Sequence, residues 1–318
     1  MSATRSADRA LLRPQALRPG DRIAVVAASS AVDRAQLAEG MRTIADQGFE
    51  VQEPSARRSY RCLAALDEER RADLLAAFAD PGVRAVWCAR GGYGLVRLLP
   101  HLDPDWLRRR ARLVIGFSDA SALLVRMVAG AGVAAIHGPM VTSNLPRQEG
   151  SGGLAHLLAL AAGSSSWRIP VPRAVVPGEV TAPVLGGCLT VIASLAGTAH
   201  APDFAGRIAL LEDVGERPQR RIDRMLVQLR QSGMLDGVRG FVFGTMPDCG
   251  DADEICQTIE DAIGDLRVPI GFGAPIGHGE ANLAVPLGVK VRLRVGGSRG
   301  APGEGAAGAL EGVEPVVS

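Results

Sequence analysis

Cysteine is scarce and its spacing is uninformative. Cys62, Cys88, Cys188, Cys249 and Cys256 form no CxxC pair, and their number is odd. That argues against a disulfide framework or a structural zinc site and for a reducing compartment. Lysine is almost missing: Lys290 is the one lysine, and arginine carries the remaining positive charge. With the many Ala and Gly residues this reads as the bias of a GC-rich genome. Net charge is also missing. A formal balance of +1 gives no electrostatic case for nucleic acid or for an anionic membrane as partner. No window is long and apolar enough to span a bilayer. The opening stretch MSATRSADRALLRPQ lacks the apolar core of a signal peptide, so the expected location is the cytoplasm. Neither a Walker A loop nor a G-x-G-x-x-G fingerprint occurs. DCGDADE (248–254) lacks EF-hand spacing. No cofactor and no metal are therefore expected.

What is present is an ordinary globular composition, 47% hydrophobic and 22% charged over 318 residues, enough for two domains. Residues 1–20 read as a loose arm ending in Pro19-Gly20. From 21 to 162, buried apolar runs alternate with helical patterns. RIAVVA (22–27) is followed by a helix capped by Asp33 and ended by Gly48. Phe49–Gln52 is the next strand. A helix over 67–79 places Leu66, Leu74, Leu75 and Phe78 on one side. VRAVWCA (83–89), ARLVIG (111–116) and GVAAIHG (132–138) continue the series. This is the pattern of βαβ units and an open, mostly parallel sheet. Residues 163–180, rich in Ser, Pro and Gly, read as a linker. A second domain over 181–296 carries RIALLED (207–213), helices near 220–232 and 252–264, GFVFG (240–244), and an alternating strand over 285–295. Residues 297–318 read as a flexible tail. The fold class is α/β with two domains, the second a mixed α/β domain with a β-rich core.

In such sheets ligands sit at the carboxyl ends of strands. Two loops fall there. In GFSDAS (116–121), Ser118 stands between a strand and a helix. It is either a helix N-cap, a role Asp119 can also take, or a nucleophile with the Asp119 N–H facing the oxyanion. In ARGGYG (89–94), paired glycines bare their amides. The loop is a tight turn, an oxyanion donor or a phosphate cradle. A serine nucleophile needs a base. Of His101, His137, His156, His200 and His278, the last is best presented, in the Gly- and Pro-rich loop GFGAPIGHGEANLAVPLG (271–288). Glu212 ends an apolar run, where a carboxylate needs a partner. It can orient a histidine or pair with Arg217 or Arg220.

Taken in order, GDRIAVVAASS, ARGGYGLVRLLPHLD, IGFSDASALL, HGPM, APVLGGCLTVIASLAGT, LLEDVGERPQRRIDRMLVQL and GFGAPIGHGEANLAVPLG resemble the muropeptide LD-carboxypeptidases. This serine-peptidase family includes the microcin-immunity peptidases. The resemblance implies a flavodoxin-like N-terminal domain carrying Ser118 as nucleophile. It implies a C-terminal domain carrying Glu212 as orienting acid and His278 as base, with the site in the crevice between them and a homodimer as the assembly. The oxyanion donors would be the N–H groups of Gly92 and Asp119. Gly91, Tyr93, Gly187 and Cys188 would border the substrate. The implied substrate is a small peptide, a murein tetrapeptide losing its terminal D-Ala in peptidoglycan recycling. Within the family the alternative is a microcin-like peptidyl-nucleotide or an acylated amino acid. Outside the enzymes it is a two-domain small-molecule binding protein. Two positions depart from the family pattern. Cys188 follows Gly186-Gly187 where the family often has Asn, and Gln219-Arg220-Arg221 stands where it usually has a tyrosine.

Overall fold

In RIAVV four apolar residues follow Arg22 without a break, the composition of a strand covered on both faces. The computed structural model of the protein has it as the first strand, β1 (Arg22–Val26), with the last four residues buried. The structure describes residues 9–55, 59–142, 145, 152–296 and 307–318. The chain forms two compact units. One is Met1–Gly163 with Pro286–Gly288 and Val316–Ser318; the other is Ser164–Val285 with Val289–Pro315.

In the first unit β2 (Glu50–Gln52), β3 (Val83–Cys88), β4 (Leu113–Gly116) and β5 (Ala135–His137) join β1 in parallel. Their spatial order is β2-β1-β3-β4-β5, with the late strand Val285–Leu287 beside β5. This is the flavodoxin-like order. Helices α1 (Arg34–Ala45), α2 (Asp67–Ala79), α3 (Pro104–Arg109), α4 (Ser121–Val125) and α5 (Gly153–Ala161) fill the connections. Asp33 caps α1, its Oδ1 accepting the Gln36 N–H at 2.9 Å. At α2 the Glu69 carboxylate reaches back to the Leu66 N–H at 3.1 Å, and Asp67, Glu68 and Glu69 complement the helix dipole. The buried face of α2 is Arg70, Leu74, Ala77 and Phe78. Leu66, expected on that face, is 48% exposed, because it is the N-cap, outside the helical repeat.

The strand order turns back at β1, which has β2 on one side and β3 on the other. The segments leaving the carboxyl ends of β1, β3 and β4 are residues 27–31, 89–94 and 117–121. They share the edge where such sheets bind ligands.

The N-terminal arm is not loose over its described part, residues 9–20; residues 1–8 lie outside the described residues. Leu12 donates to Gly132 O at 2.8 Å, Ala134 donates to Leu12 O at 2.9 Å, and Leu17 donates to Ala161 O at 2.8 Å. Leu17 is 3% exposed. An aperiodic segment can still satisfy its backbone against the rim of a sheet, and periodicity does not report that.

The second unit is built on β6 (Arg168–Val171), β7 (Arg173–Val176), β8 (Gly178–Cys188), β9 (Ile208–Glu212), β10 (Gly240–Phe243), β11 (Ile270–Phe272), β13 (Lys290–Val295) and β14 (Gly308–Gly312); Val285–Leu287 is β12. The order is β6-β14-β13-β8-β9-β10-β11-β7. β8 through β11 run parallel, and the flanking pairs are antiparallel. Helices α6 (Leu189–Ser194), α7 (Arg220–Gln231) and α8 (Ala252–Ile263) complete it.

Three expectations change here. The 163–180 linker is instead β6, β7 and the start of β8. Pro170, Pro172 and Pro177 disguise them, and β6 and β7 are the two edge strands, where a missing N–H is tolerated. The single strand over 285–295 is broken at Gly288, whose φ is +91°, into β12 and β13, which belong to different sheets. The tail from 297 is a strand over Gly308–Gly312, with Ala309 and Leu310 buried between β13 and β6; residues 297–306 lie outside the described residues. Among the described residues no helix is long and apolar enough to cross a membrane.

Candidate active site

β4 ends at Gly116, and its missing Cβ matters: one there would fall 2.8 Å from Ala120 Cβ and 3.1 Å from Cys88 Sγ. The chain then turns sharply. Phe117 is extended, and Ser118 has a φ of +59°. A left-handed serine costs on the order of 1–3 kcal/mol and persists only where the surroundings impose it. That is the mechanical character of a strained strand-to-helix elbow that lifts a hydroxyl from the sheet edge. Neither Ser118 nor Asp119 caps the helices that follow: the N-cap positions are Phe117 and Ala120, with no side-chain cap hydrogen bond. The Asp119 carboxylate, 3% exposed, accepts the Leu95 N–H at 2.9 Å.

The Gly-Gly turn after β3 lies against this elbow. A Cβ on Gly91 would stand 2.7 Å from both Cβ and Oγ of Ser118, so only bare backbone fits beside the hydroxyl. Gly92 has a φ of +102° and Gly94 of +130°. Gly92 and Tyr93 are exposed. Of the expected residues of the first unit, Ser118, Asp119, Gly91, Gly92 and Tyr93 thus share one strand-end edge. His137 does not join them as a base. It is fully buried at the end of β5, paired in register with Gly116 and edge-on to Phe117 at 5.9 Å.

In the second unit Glu212 is the last residue of β9 and fully buried. Its Oε2 lies 2.6 Å from His278 Nδ1. An ionised carboxylate only accepts, so Nδ1 carries the proton and Nε2 is left as the basic nitrogen. Burial by itself lowers the His278 pKa. The hydrogen bond that Nδ1–H donates to Glu212 and the Glu212 charge, with that of Asp213, outweigh burial and hold the pKa above the ordinary 6.5. The loop that presents His278 is fixed by its own backbone. Gly277 donates to Oδ1 of fully buried Asn282 at 2.8 Å, and Gly279 donates to Thr245 Oγ1 at 3.0 Å. Gly277, at φ +98°, passes so close to the acid that a Cβ would fall 2.2 Å from Glu212 Oε2. Arg217 and Arg220 are not the partners of Glu212; the histidine is.

Cys188 is the register partner of Glu212 across β8 and β9. Its thiol lies 3.6 Å from Asp213 Oδ1, and burial, then the charges of Glu212 and Asp213, push its pKa well above 9.0. Gly187, at φ +146°, precedes it. Asp213 also accepts from the Thr190 N–H and hydroxyl, both at 2.8 Å, and burial raises its pKa. Sequence reasoning missed Ser30, Thr245, Asn282 and Asp213 as neighbours of these groups. For Ser30 the signal was its place four residues beyond the end of a buried strand; for Asn282 it was a polar side chain inside a Gly-rich loop.

Residues 23–138 match the model of the LD-carboxypeptidase N-terminal domain, and residues 181–293 that of the LD-carboxypeptidase C-terminal domain. The murein tetrapeptide carboxypeptidase of Pseudomonas aeruginosa is 38% identical over 289 residues, 84% of this chain and 91% of that protein. The crystal structure of muramoyltetrapeptide carboxypeptidase from Oxalobacter formigenes is similar at a TM-score of 0.80 and 27% identity, covering 92% of this chain and 99% of that one. An MccF-like protein from Bacillus anthracis shares the fold at a TM-score of 0.84 and 23% identity, covering 95% and 99%.

Proposed function

The chain belongs to the LD-carboxypeptidase family and is a serine-type carboxypeptidase, and on that premise we propose that it cleaves an L,D-peptide bond with Ser118 as nucleophile, His278 as base and Glu212 as orienting acid. The observation that carries this reading is the 2.6 Å contact between buried Glu212 and half-buried His278, which fixes the tautomer a general base needs. The strained Ser118 supplies the other half. The reading requires Ser118 Oγ to come within about 2.6–3.2 Å of His278 Nε2.

Ser118 Oγ attacks the scissile carbonyl carbon while its proton passes to His278 Nε2. The charge developing on the carbonyl oxygen is met by the N–H groups of Gly92 and Asp119. Glu212 stabilises the imidazolium so formed. Collapse breaks the C–N bond, and His278 returns its proton to the leaving amine. Water, deprotonated by His278, then hydrolyses the Ser118 ester. The substrate we assign is a murein tetrapeptide, with the terminal D-Ala released, in a cytoplasmic homodimer. The test is mass spectrometry of defined muropeptides, with aminoacyl-nucleotide analogues in the same panel, for wild type and Ser118→Ala. The expected result is D-Ala release by wild type and none by a folded Ser118→Ala protein. Turnover by that variant would overturn the mechanism. Preference for the nucleotide analogues would move the substrate and leave the mechanism standing.

A further inference from the structure

The turn Arg90–Gly94 is rich in glycine, and two of its residues hold positive φ. Left to itself such a backbone samples many shapes. An oxyanion donor must stand 2.7–3.1 Å from where the charge will form, so something must hold it. Two side chains from other elements do. Ser30, just past β1, accepts the Tyr93 N–H on Oγ at 3.0 Å, and its own N–H donates to Gly91 O at 3.3 Å. Asp119, in the nucleophile elbow, accepts the Leu95 N–H on Oδ2 at 2.9 Å. The two anchored amides are 93 and 95, both just past Gly92. The fit at Gly92 is close, since a Cβ there would fall 2.3 Å from Ser30 Oγ. Behind the turn the buried Arg70 guanidinium donates to Ala28 O and to Asp67 Oδ1, and it occupies the space a Cβ on Gly94 would enter.

We infer that Ser30 and the Asp119 carboxylate are positioning residues that lock the Gly91–Leu95 turn in register with Ser118, so that the oxyanion donors are set before substrate arrives. This rests on the proposed assignment of the Gly92 and Asp119 amides. The economy of the arrangement lies in Asp119. Its main chain supplies one donor, and its side chain reaches across to hold the segment that supplies the other. The elbow and the turn therefore move together or not at all.

The test uses full-length Ser30→Ala, Asp119→Ala and Asp119→Asn. The readouts are kcat and KM on the peptide that wild type cleaves fastest, and the rate at which a fluorophosphonate labels Ser118. That labelling also places a charged oxygen among the donors and needs no peptide. Ser30→Ala and Asp119→Ala should each lose about 10–100-fold in kcat and in labelling rate, the scale of a misplacement near 1 Å, with KM within about threefold. Asp119→Asn keeps an acceptor oxygen for Leu95 and should recover most of the loss. Should Asp119→Ala fail to fold, Ser30→Ala decides. The inference falls if Ser30→Ala labels and turns over within about threefold of wild type, or if its loss appears in KM alone. An active Ser118→Ala protein would instead remove the assignment beneath it, so the two failures are distinguishable.

Discussion

Replacing Glu212 by glutamine probes the base most directly. The substitution preserves shape and removes one charge, 2.6 Å from His278 Nδ1, at a side chain with no exposure. Two effects follow. The amide can donate to Nδ1, which favours the tautomer with the proton on Nε2, where the base must be bare. The imidazolium formed in the transition state also loses its counter-charge. Opposite unit charges about 4 Å apart at an effective dielectric of 20 interact by about 4 kcal/mol. Converting the orienting acid of a serine triad to its amide costs about 10⁴-fold in kcat, which is about 5.4 kcal/mol at 1.36 kcal/mol per decade. The two figures agree in scale. The pH profile carries a second signature. In wild type His278 titrates above 6.5 because Glu212 outweighs burial. The rate needs neutral imidazole, so it should rise with pH through that raised value. In Glu212→Gln burial acts with little opposition, and the acid limb should move to lower pH. The assay is kcat/KM against pH by chromatographic measurement of released D-Ala. Activity within tenfold of wild type, with an unmoved acid limb, would refute the reasoning. Stability follows the same linkage. The folded protein holds the His278 proton more tightly than the unfolded chain. The contribution is therefore full below 6.5 and is lost as pH rises through the raised pKa. Denaturation midpoints of wild type and His278→Gln should converge across that window.

Further outcomes follow from the elbow and the thiols. Ser118→Gly should abolish turnover yet raise stability by about 1 kcal/mol, since glycine adopts φ +59° without strain; a lower denaturation midpoint would show that the serine is not strained. Gly91→Ala should lower kcat by at least about 10²-fold and stability by about 1–3 kcal/mol, because its methyl would meet Ser118 Oγ at 2.7 Å; normal kinetics would mean the hydroxyl works from another side. With a thiol reagent at pH 8, exposed Cys62 should react first. Cys88, pushed by burial and then by Asp119 to about 12, and Cys188 should react only on unfolding; early labelling of Cys188, read by peptide mass spectrometry, would contradict its burial.

The parts of this protein governed by local physics were legible in its sequence. Strands β1 and β4 are apolar but for the Arg22 that opens β1, β3 is interrupted by Arg84 alone, and the helix over Asp67–Ala79 is bounded by acids at its start. Ser118, Glu212 and His278 drew attention because each stands where an apolar run ends or a glycine-rich loop begins. What the residues could not report was pairing across long separations. Proline hid β6 and β7, and whether a Pro-bearing segment is a linker or a sheet edge depends on which strand lies beside it. The last strand, Gly308–Gly312, is short and Gly-rich, and it is a strand because β13 and β6 flank it. Chain order set the nucleophile, the acid and the base in different segments. Tertiary structure alone decided that Glu212 is buried against His278 rather than paired with Arg217, and that the Asp119 side chain reaches Leu95 rather than capping a helix. Hydrogen bonds between residues 24 or 66 positions apart leave no periodic trace in a sequence, because they depend on which strand ends the fold brings to a common edge.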